Sequence, residues 1–193
     1  MLEVLYEDNH LIAINKKSGD IVQGDKTGDT PLSDFVKAYI KKKYKKPGEV
    51  FLGTIHRLDR PTSGIVLYAK TSKALSRMNE QFRNKKVKKI YWAVVDKPTP
   101  NNSGTLENYL QKNQKQNKSY VTKGENGKHA ILDYNLLKKL DNFYHLEIKP
   151  KTGRHHQIRV QLANIGCIIK GDLKYGAKRS NKNASIHLLA QKL

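Results

Sequence analysis

Two apolar runs, Ile65-Val66-Leu67-Tyr68-Ala69 and Ile90-Tyr91-Trp92-Ala93-Val94-Val95, constrain the fold of this 193-residue chain more than any other feature. Both are short, rich in β-branched and aromatic side chains, and bounded by polar residues, so they read as strands of a sheet interior. Helices have separate signals. Thr30 can cap one, Pro31 suits its first position and Pro47-Gly48 stop it, with Leu32, Phe35, Val36, Tyr39, Ile40 and Tyr44 on one face. Ser72 can cap a second, whose inner face is Leu75, Met78 and Phe82.

The remaining segments fit around these. The stretch from Val4 to Lys16 reads as two short strands about an Asp8-Asn9-His10 turn. The polar segment from Pro98 to Gly127 reads as exposed strands or loops. Ala130 to Leu137 and Phe143 to Lys149 are strands, and a short helix runs from about Arg154 to a Gly166 that suits its C-terminal cap. Strands and helices alternate without the regular spacing of βαβ units. This predicts an α+β fold, with residues 1–193 forming one domain.

Charge bears on the partner. Lys and Arg number 37 against 17 Asp and Glu, a net +20. The bases cluster at Lys37 to Lys46, at Arg83 to Lys89 and at Lys170 to Lys182. Such a surface is expected to meet a polyanion: nucleic acid first, an anionic membrane surface a distant second. No apolar run approaches the ~20 residues of a membrane span. The acidic N-terminus does not read as a signal peptide, and the single cysteine, Cys167, excludes an internal disulfide framework. The expectation is a cytoplasmic protein.

Several chemistries are absent. There is no G-x-x-x-x-G-K-[ST] and no G-x-G-x-x-G. His56-Arg57-Leu58-Asp59 is one residue out of step with a kinase H-R-D loop, and no D-F-G accompanies it. His155 and His156, as neighbours on a helix, would point ~100° apart, which is poor for a metal; no metal site is predicted. Three segments stand out. They are His56 to Gly64, where an acid lies between Arg57 and Arg60 in a loop entering a strand; Lys89 to Ala93, a strand carrying Tyr91; and Lys149 to Arg159, a basic turn and helix.

Together these segments resemble one family, the RluA branch of the pseudouridine synthases, which isomerise uridine within RNA. H-R-L-D-x-x-T-S-G is met at His56 to Gly64, K-x-Y-x-A at Lys89 to Ala93, T-G-R-x-H-Q-I-R at Thr152 to Arg159, and G-D-x-x-Y-G at Gly171 to Gly176. The four occur in order and span most of the chain. The resemblance implies a mixed, largely antiparallel central sheet with flanking helices and an RNA-binding cleft. It implies Asp59 as the essential aspartate, Tyr91 as the aromatic that stacks on the target uracil, and Arg159 as the aspartate's basic partner. Arg57 matches an arginine that enters the RNA, Leu188 an apolar wall of the pocket, and His56, Arg154 and His156 further substrate contacts. Leu189 departs from the histidine common in relatives, and the expectation is a catalytic domain without the S4 RNA-binding module that many family members carry ahead of it.

The implied chemistry is physically coherent. Uridine and pseudouridine contain the same atoms, so no redox or energy-supplying cofactor is required. The C1′–N1 bond breaks and a C5–C1′ bond forms. A stacked nucleotide must flip out, at a cost of a few kcal/mol, and stacking on an aromatic ring returns ~1–3 kcal/mol. Asp59 serves either as nucleophile at C1′ or as base at C2′. The expected partner is a structured rRNA or tRNA, with no protein partner implied and a monomer as the default. The rival readings are a non-catalytic RNA-binding protein and, more weakly, a DNA-binding protein.

Overall fold

Asp8 shapes the first turn. In the computed structural model, which describes residues 2–25, 28–124 and 126–193, its Oδ1 accepts from the backbone N–H groups of His10 at 2.7 Å and Leu11 at 2.6 Å. This Asx turn joins β1 (Val4–Glu7) to β2 (Leu11–Lys16). The chain forms two compact units, Met1–Val87 and Lys88–Leu193.

The first unit continues with α1 (Leu32–Lys43), β3 (Gly53–Thr54), β4 (Ser63–Ala69) and α2 (Ser72–Arg83). β4 pairs antiparallel with both β2 and β3. Its two-residue period feeds two cores. Val66 and Tyr68 join Ile12, Ile14, Val36 and Ile40, while Ala69 and Leu67 meet Ala74, Leu75 and Phe82. Glu7, with a side chain 7% exposed, receives Lys43 Nζ at 2.6 Å and Lys70 Nζ at 2.8 Å.

Helix starts differ by one residue from the sequence expectation. α1 begins after Pro31, without a side-chain cap. Its first amide groups are satisfied instead by backbone, Leu32 N–H donating to Ile21 O at 2.7 Å and Ser33 N–H to Val22 O at 3.3 Å. Thr71 rather than Ser72 caps α2, its Oγ1 accepting from Ala74 N at 3.1 Å. The apolar stripe of α1 is also narrower than expected: Leu32, Val36 and Ile40 are buried, whereas Phe35 and Tyr44 are exposed.

The second unit holds β5 (Ile90–Val95), β6 (Ser103–Asn113), β7 (Lys118–Thr122), β8 (Lys128–Lys139), β9 (Tyr144–Pro150), α3 (Gln157–Asn164) and β10 (Leu188–Lys192), which returns to pair with β5. All pairings are antiparallel, in the order β10-β5-β9-β8-β6-β7. The polar segment after Pro98 is therefore a hairpin of real strands. α3 covers this sheet through Ile158 and Leu162. It ends in a Schellman motif: Gly166, at φ +79°, donates to Ala163 O, and Cys167 N–H donates to Leu162 O, both at 3.0 Å. The Cys167 side chain is buried, 3.3 Å from Pro98 O. Strands and helices in each unit give the α+β class that the sequence predicts.

Candidate active site

In the first unit, the segment between β3 and β4 carries His56, Arg57 and Asp59. Arg57 is exposed and Asp59 half-buried. The His56 ring is directed to its own unit: Nε2 accepts from Leu67 N–H at 3.1 Å, and the ring stacks on Phe82 at 5.5 Å. It thus buttresses the loop against β4 and α2. A turn follows Asp59, closed by Thr62 N–H donating to Asp59 O at 3.0 Å.

Lys16, at the end of β2, is fully buried. Its ammonium donates to the carbonyls of Lys17 at 3.1 Å, Arg60 at 3.0 Å and Thr62 at 2.7 Å. Burial pulls its pKa down to about 8, while Asp20 and Asp59 favour its charged form and Arg60 opposes it.

In the second unit, Tyr91 lies half-buried on β5, between Ala190 of β10 and Ile148 of β9. Leu188 is buried, opposite Ala93. Lys89, whose pKa burial lowers, approaches Thr152 O at 3.4 Å. The Thr152–Gln157 turn is tied to β8: Gln157 Nε2 donates to Ile131 O at 2.9 Å, and its Oε1 accepts from Thr152 Oγ1 at 2.7 Å and Arg154 N–H at 3.0 Å. Arg154 is exposed, with Nε donating to His129 O at 2.8 Å.

α3 is unusual for a surface helix, because Gln157, Arg159 and Gln161 are buried along with their apolar neighbours. Arg159 forms a two-bond fork with Asp172, Nε to Oδ2 at 2.7 Å and Nη2 to Oδ1 at 2.8 Å; the side chains are 4% and 1% exposed. Its guanidinium lies 5.1 Å from the Tyr175 ring centre. Asp172 is set by Gly171, at φ +86°, where a Cβ would fall 2.6 Å from Ser185 O.

The two histidines do not sit on the helix as expected. His156 adopts a left-handed conformation, φ +54°, so α3 starts only at Gln157 and the rings stack at 3.8 Å. His156 Nδ1 is 3.0 Å from the Tyr175 hydroxyl, which also accepts from Ser119 N–H at 3.0 Å. Ser119 Oγ lies 2.8 Å from both Nδ1 and O of His155. A hydroxyl has one hydrogen, so both contacts are satisfied when it donates to the carbonyl and accepts from Nδ1–H. Burial, with Arg159 and His155 beside it, lowers the His156 pKa to about 2, so this ring stays neutral.

Sequence reasoning assigned no role to Lys16, Asp172, Tyr175 or Ser119. Asp172 and Tyr175 are the fixed letters of G-D-x-x-Y-G, and that pattern was their signal. Among the described residues no cluster of three or more His, Cys, Asp or Glu could hold a metal ion.

The model of a family described as RNA pseudouridylate synthase matches residues 10–164. Ribosomal large subunit pseudouridine synthase C of Rickettsia felis is 39% identical over 178 residues, 91% of this chain and 56% of that protein. Ribosomal large subunit pseudouridine synthase D of Borreliella burgdorferi is 32% identical over 178 residues, 91% of this chain and 55% of the relative. The chain thus spans about half the length of these curated relatives. Human RNA Pseudouridylate Synthase Domain Containing 4 superposes with a TM-score of 0.81 at 24% identity, over 97% of this chain and 82% of that one, a likeness of fold.

Proposed function

Because this chain belongs to the RNA pseudouridylate synthase family, we propose that it converts uridine to pseudouridine within RNA, with Asp59 as the essential carboxylate. The observation that carries this reading is the family match over residues 10–164, which takes in Asp59, Tyr91 and Arg159 together. Relatives named for the large ribosomal subunit favour rRNA over tRNA as the substrate class. The reading treats residues 1–193 as one catalytic domain and the protein as a cytoplasmic monomer.

The target nucleotide flips out, and the Tyr91 ring supplies a face for the displaced uracil. Asp59 either attacks C1′ and displaces N1, or removes the proton at C2′ as the C1′–N1 bond breaks. The base turns and C5 bonds to C1′, which expels the carboxylate in the first route and is accompanied by return of the proton to C2′ in the second, while C5 loses its hydrogen and N1 gains one. Arg159 is the residue that the family resemblance gives as the basic partner of this carboxylate, and within its own unit it is held by Asp172. Arg57 and Arg154, both exposed, suit direct contact with RNA. His56, His156 and Leu188 are turned into their own units, where each supports the segment that carries it.

Tritium release from RNA labelled at uridine C5 tests this directly. Wild type should release tritium from unmodified ribosomal RNA, and Asp59→Asn should bind the RNA yet release none. Full release by Asp59→Asn, or RNA binding by wild type without any release, overturns the reading; the second result would favour a non-catalytic RNA-binding protein.

A further inference from the structure

The four carbonyls from Asp59 to Thr62 all have donors, and three of them are met by one short stretch of chain. Asp59 O accepts from Thr62 N–H at 3.0 Å. Arg60 O accepts from Gly19 N–H at 2.9 Å and from Lys16 Nζ at 3.0 Å. Pro61 O accepts from Ser18 Oγ at 3.0 Å, and Thr62 O from Lys16 Nζ at 2.7 Å. Residues 16–19 therefore form a cradle for the turn that carries Asp59. Its central member is an ammonium removed from water, whose three N–H groups meet three carbonyls.

A buried lysine is a costly way to fill space. Stripping an ammonium of water is unfavourable even when every donor is paired, and an apolar side chain of similar volume often gives an equally stable protein. The first core needs no charge at this position, since Ile12 and Ile14 occupy the same face of β2. What a methionine could not do is draw the carbonyls of Arg60 and Thr62 towards one point. Those two residues flank Pro61, and the turn they define fixes where the Asp59 backbone sits.

We propose that Lys16 is a positioning residue for the reaction, acting through the backbone carbonyls of Arg60 and Thr62 to hold the Asp59 turn in its working geometry. This rests on the assignment of Asp59 as the essential carboxylate. Lys16 does not touch the uridine; its contribution is to the placement of the group that does. Misplacement by about 1 Å is enough to slow an enzyme ~100-fold.

The lysine's proton is part of the device. A neutral amine keeps two hydrogens and turns a lone pair towards a carbonyl, so it cannot serve all three acceptors. Burial lowers the Lys16 pKa to about 8; Asp20, on the turn after β2, and Asp59 favour the charged form, and Arg60 disfavours it. Turnover should fall as pH rises through about 8. Global stability moves the other way. The folded protein binds this proton less tightly than the unfolded chain, where the pKa is 10.5. Between those two values the unfolded chain carries the extra proton, so the contribution of Lys16 to stability rises with pH. A loss of turnover in that window is not unfolding driven by this group.

The experiment compares wild type, Lys16→Met and Ser18→Ala by two readouts. In the first, amide hydrogen exchange at Gly19 and Thr62 should accelerate about tenfold in Lys16→Met and less in Ser18→Ala, with the β4 amides unchanged. In the second, kcat for tritium release from ribosomal RNA labelled at uridine C5 should fall ~10–100-fold in Lys16→Met and a few-fold in Ser18→Ala, with KM within about twofold. The decline of wild-type kcat above pH 8 should be missing from Lys16→Met. Unchanged exchange at Gly19 and Thr62 overturns the proposal, as does wild-type kcat in Lys16→Met or a fall shared equally by KM. If Lys16→Met does not fold, Ser18→Ala and the wild-type pH profile decide. An inactive wild type defeats the synthase reading instead, and the exchange data then judge the cradle alone.

Discussion

The turn that carries Asp59 and the helix that carries Arg159 are each organised around a buried cation, yet the two cations are satisfied by different chemistry. Lys16 meets three neutral carbonyls. Arg159 meets a full carboxylate, Asp172, itself 1% exposed. Removing the first leaves only dipoles, some of which keep another donor, as Arg60 O keeps Gly19 N–H. Removing the second strands a charge. One arrangement can therefore lose its cation and lose mainly geometry, while the other loses the fold around it.

The largest effect should come from Arg159→Met. With Asp172 left buried and unpaired, unfolding free energy should drop by about 3–5 kcal/mol in urea titration, and adding Asp172→Leu should restore much of it. Lys16→Met should cost only about 1–2 kcal/mol, because carbonyls lose a donor while an ammonium no longer has to be desolvated. If the two single variants cost the same, the contrast between the units is broken.

Acid sharpens it. His156 is neutral in the fold because burial lowers its pKa from 6.5 to about 2, whereas the unfolded chain takes up the proton near 6.5. Stability is thus complete above pH 6.5 and is lost as pH falls, by up to about 1.4 kcal/mol per pH unit for one proton. His187, also lowered by burial, adds a share. In the first unit burial opposes Glu7's charge, but Lys43, Lys70, Tyr44 and Tyr39 bring its pKa from 4.5 to about 2, so its loss begins only below about pH 4.5. Urea midpoints between pH 6.5 and 4.5 should therefore decline for wild type and decline less for His156→Gln; identical slopes would contradict this.

The smallest stability change belongs to exposed lysines. Lys41, Lys42 and Lys45 are exposed on or just beyond α1. Changing all three to Gln should leave the urea midpoint nearly unmoved, within about 0.5 kcal/mol. If this helix meets RNA, the same variant should flatten the salt dependence of RNA binding by about 2 in log–log slope. An unaltered slope assigns the docking surface to other residues.

The strands were largely legible because the two-residue period and the turn chemistry at Asp8 act locally. Helix starts were less so: Thr71 and Ser72 are adjacent hydroxyls with the same capping chemistry, and only the backbone decides that Thr71 faces Ala74 N–H. The His155–His156 geometry was illegible, since nothing in composition announces a left-handed residue at His156. Lys16 was readable in principle. It follows Ile12 and Ile14 at intervals of two, which puts it on the buried face of β2. Its charge argued the other way, and only the carbonyls of a loop more than forty residues later explain why the strand period prevailed.

The closure of α3 has a practical use. The single thiol of the chain lies three residues beyond the end of that helix, buried, with burial raising its pKa. A thiol-selective reagent can reach it only when the Schellman turn and the contact with Pro98 O open. The labelling rate of unmodified protein is therefore a built-in clock for local opening beneath the Arg159 helix, read by mass without introducing any probe.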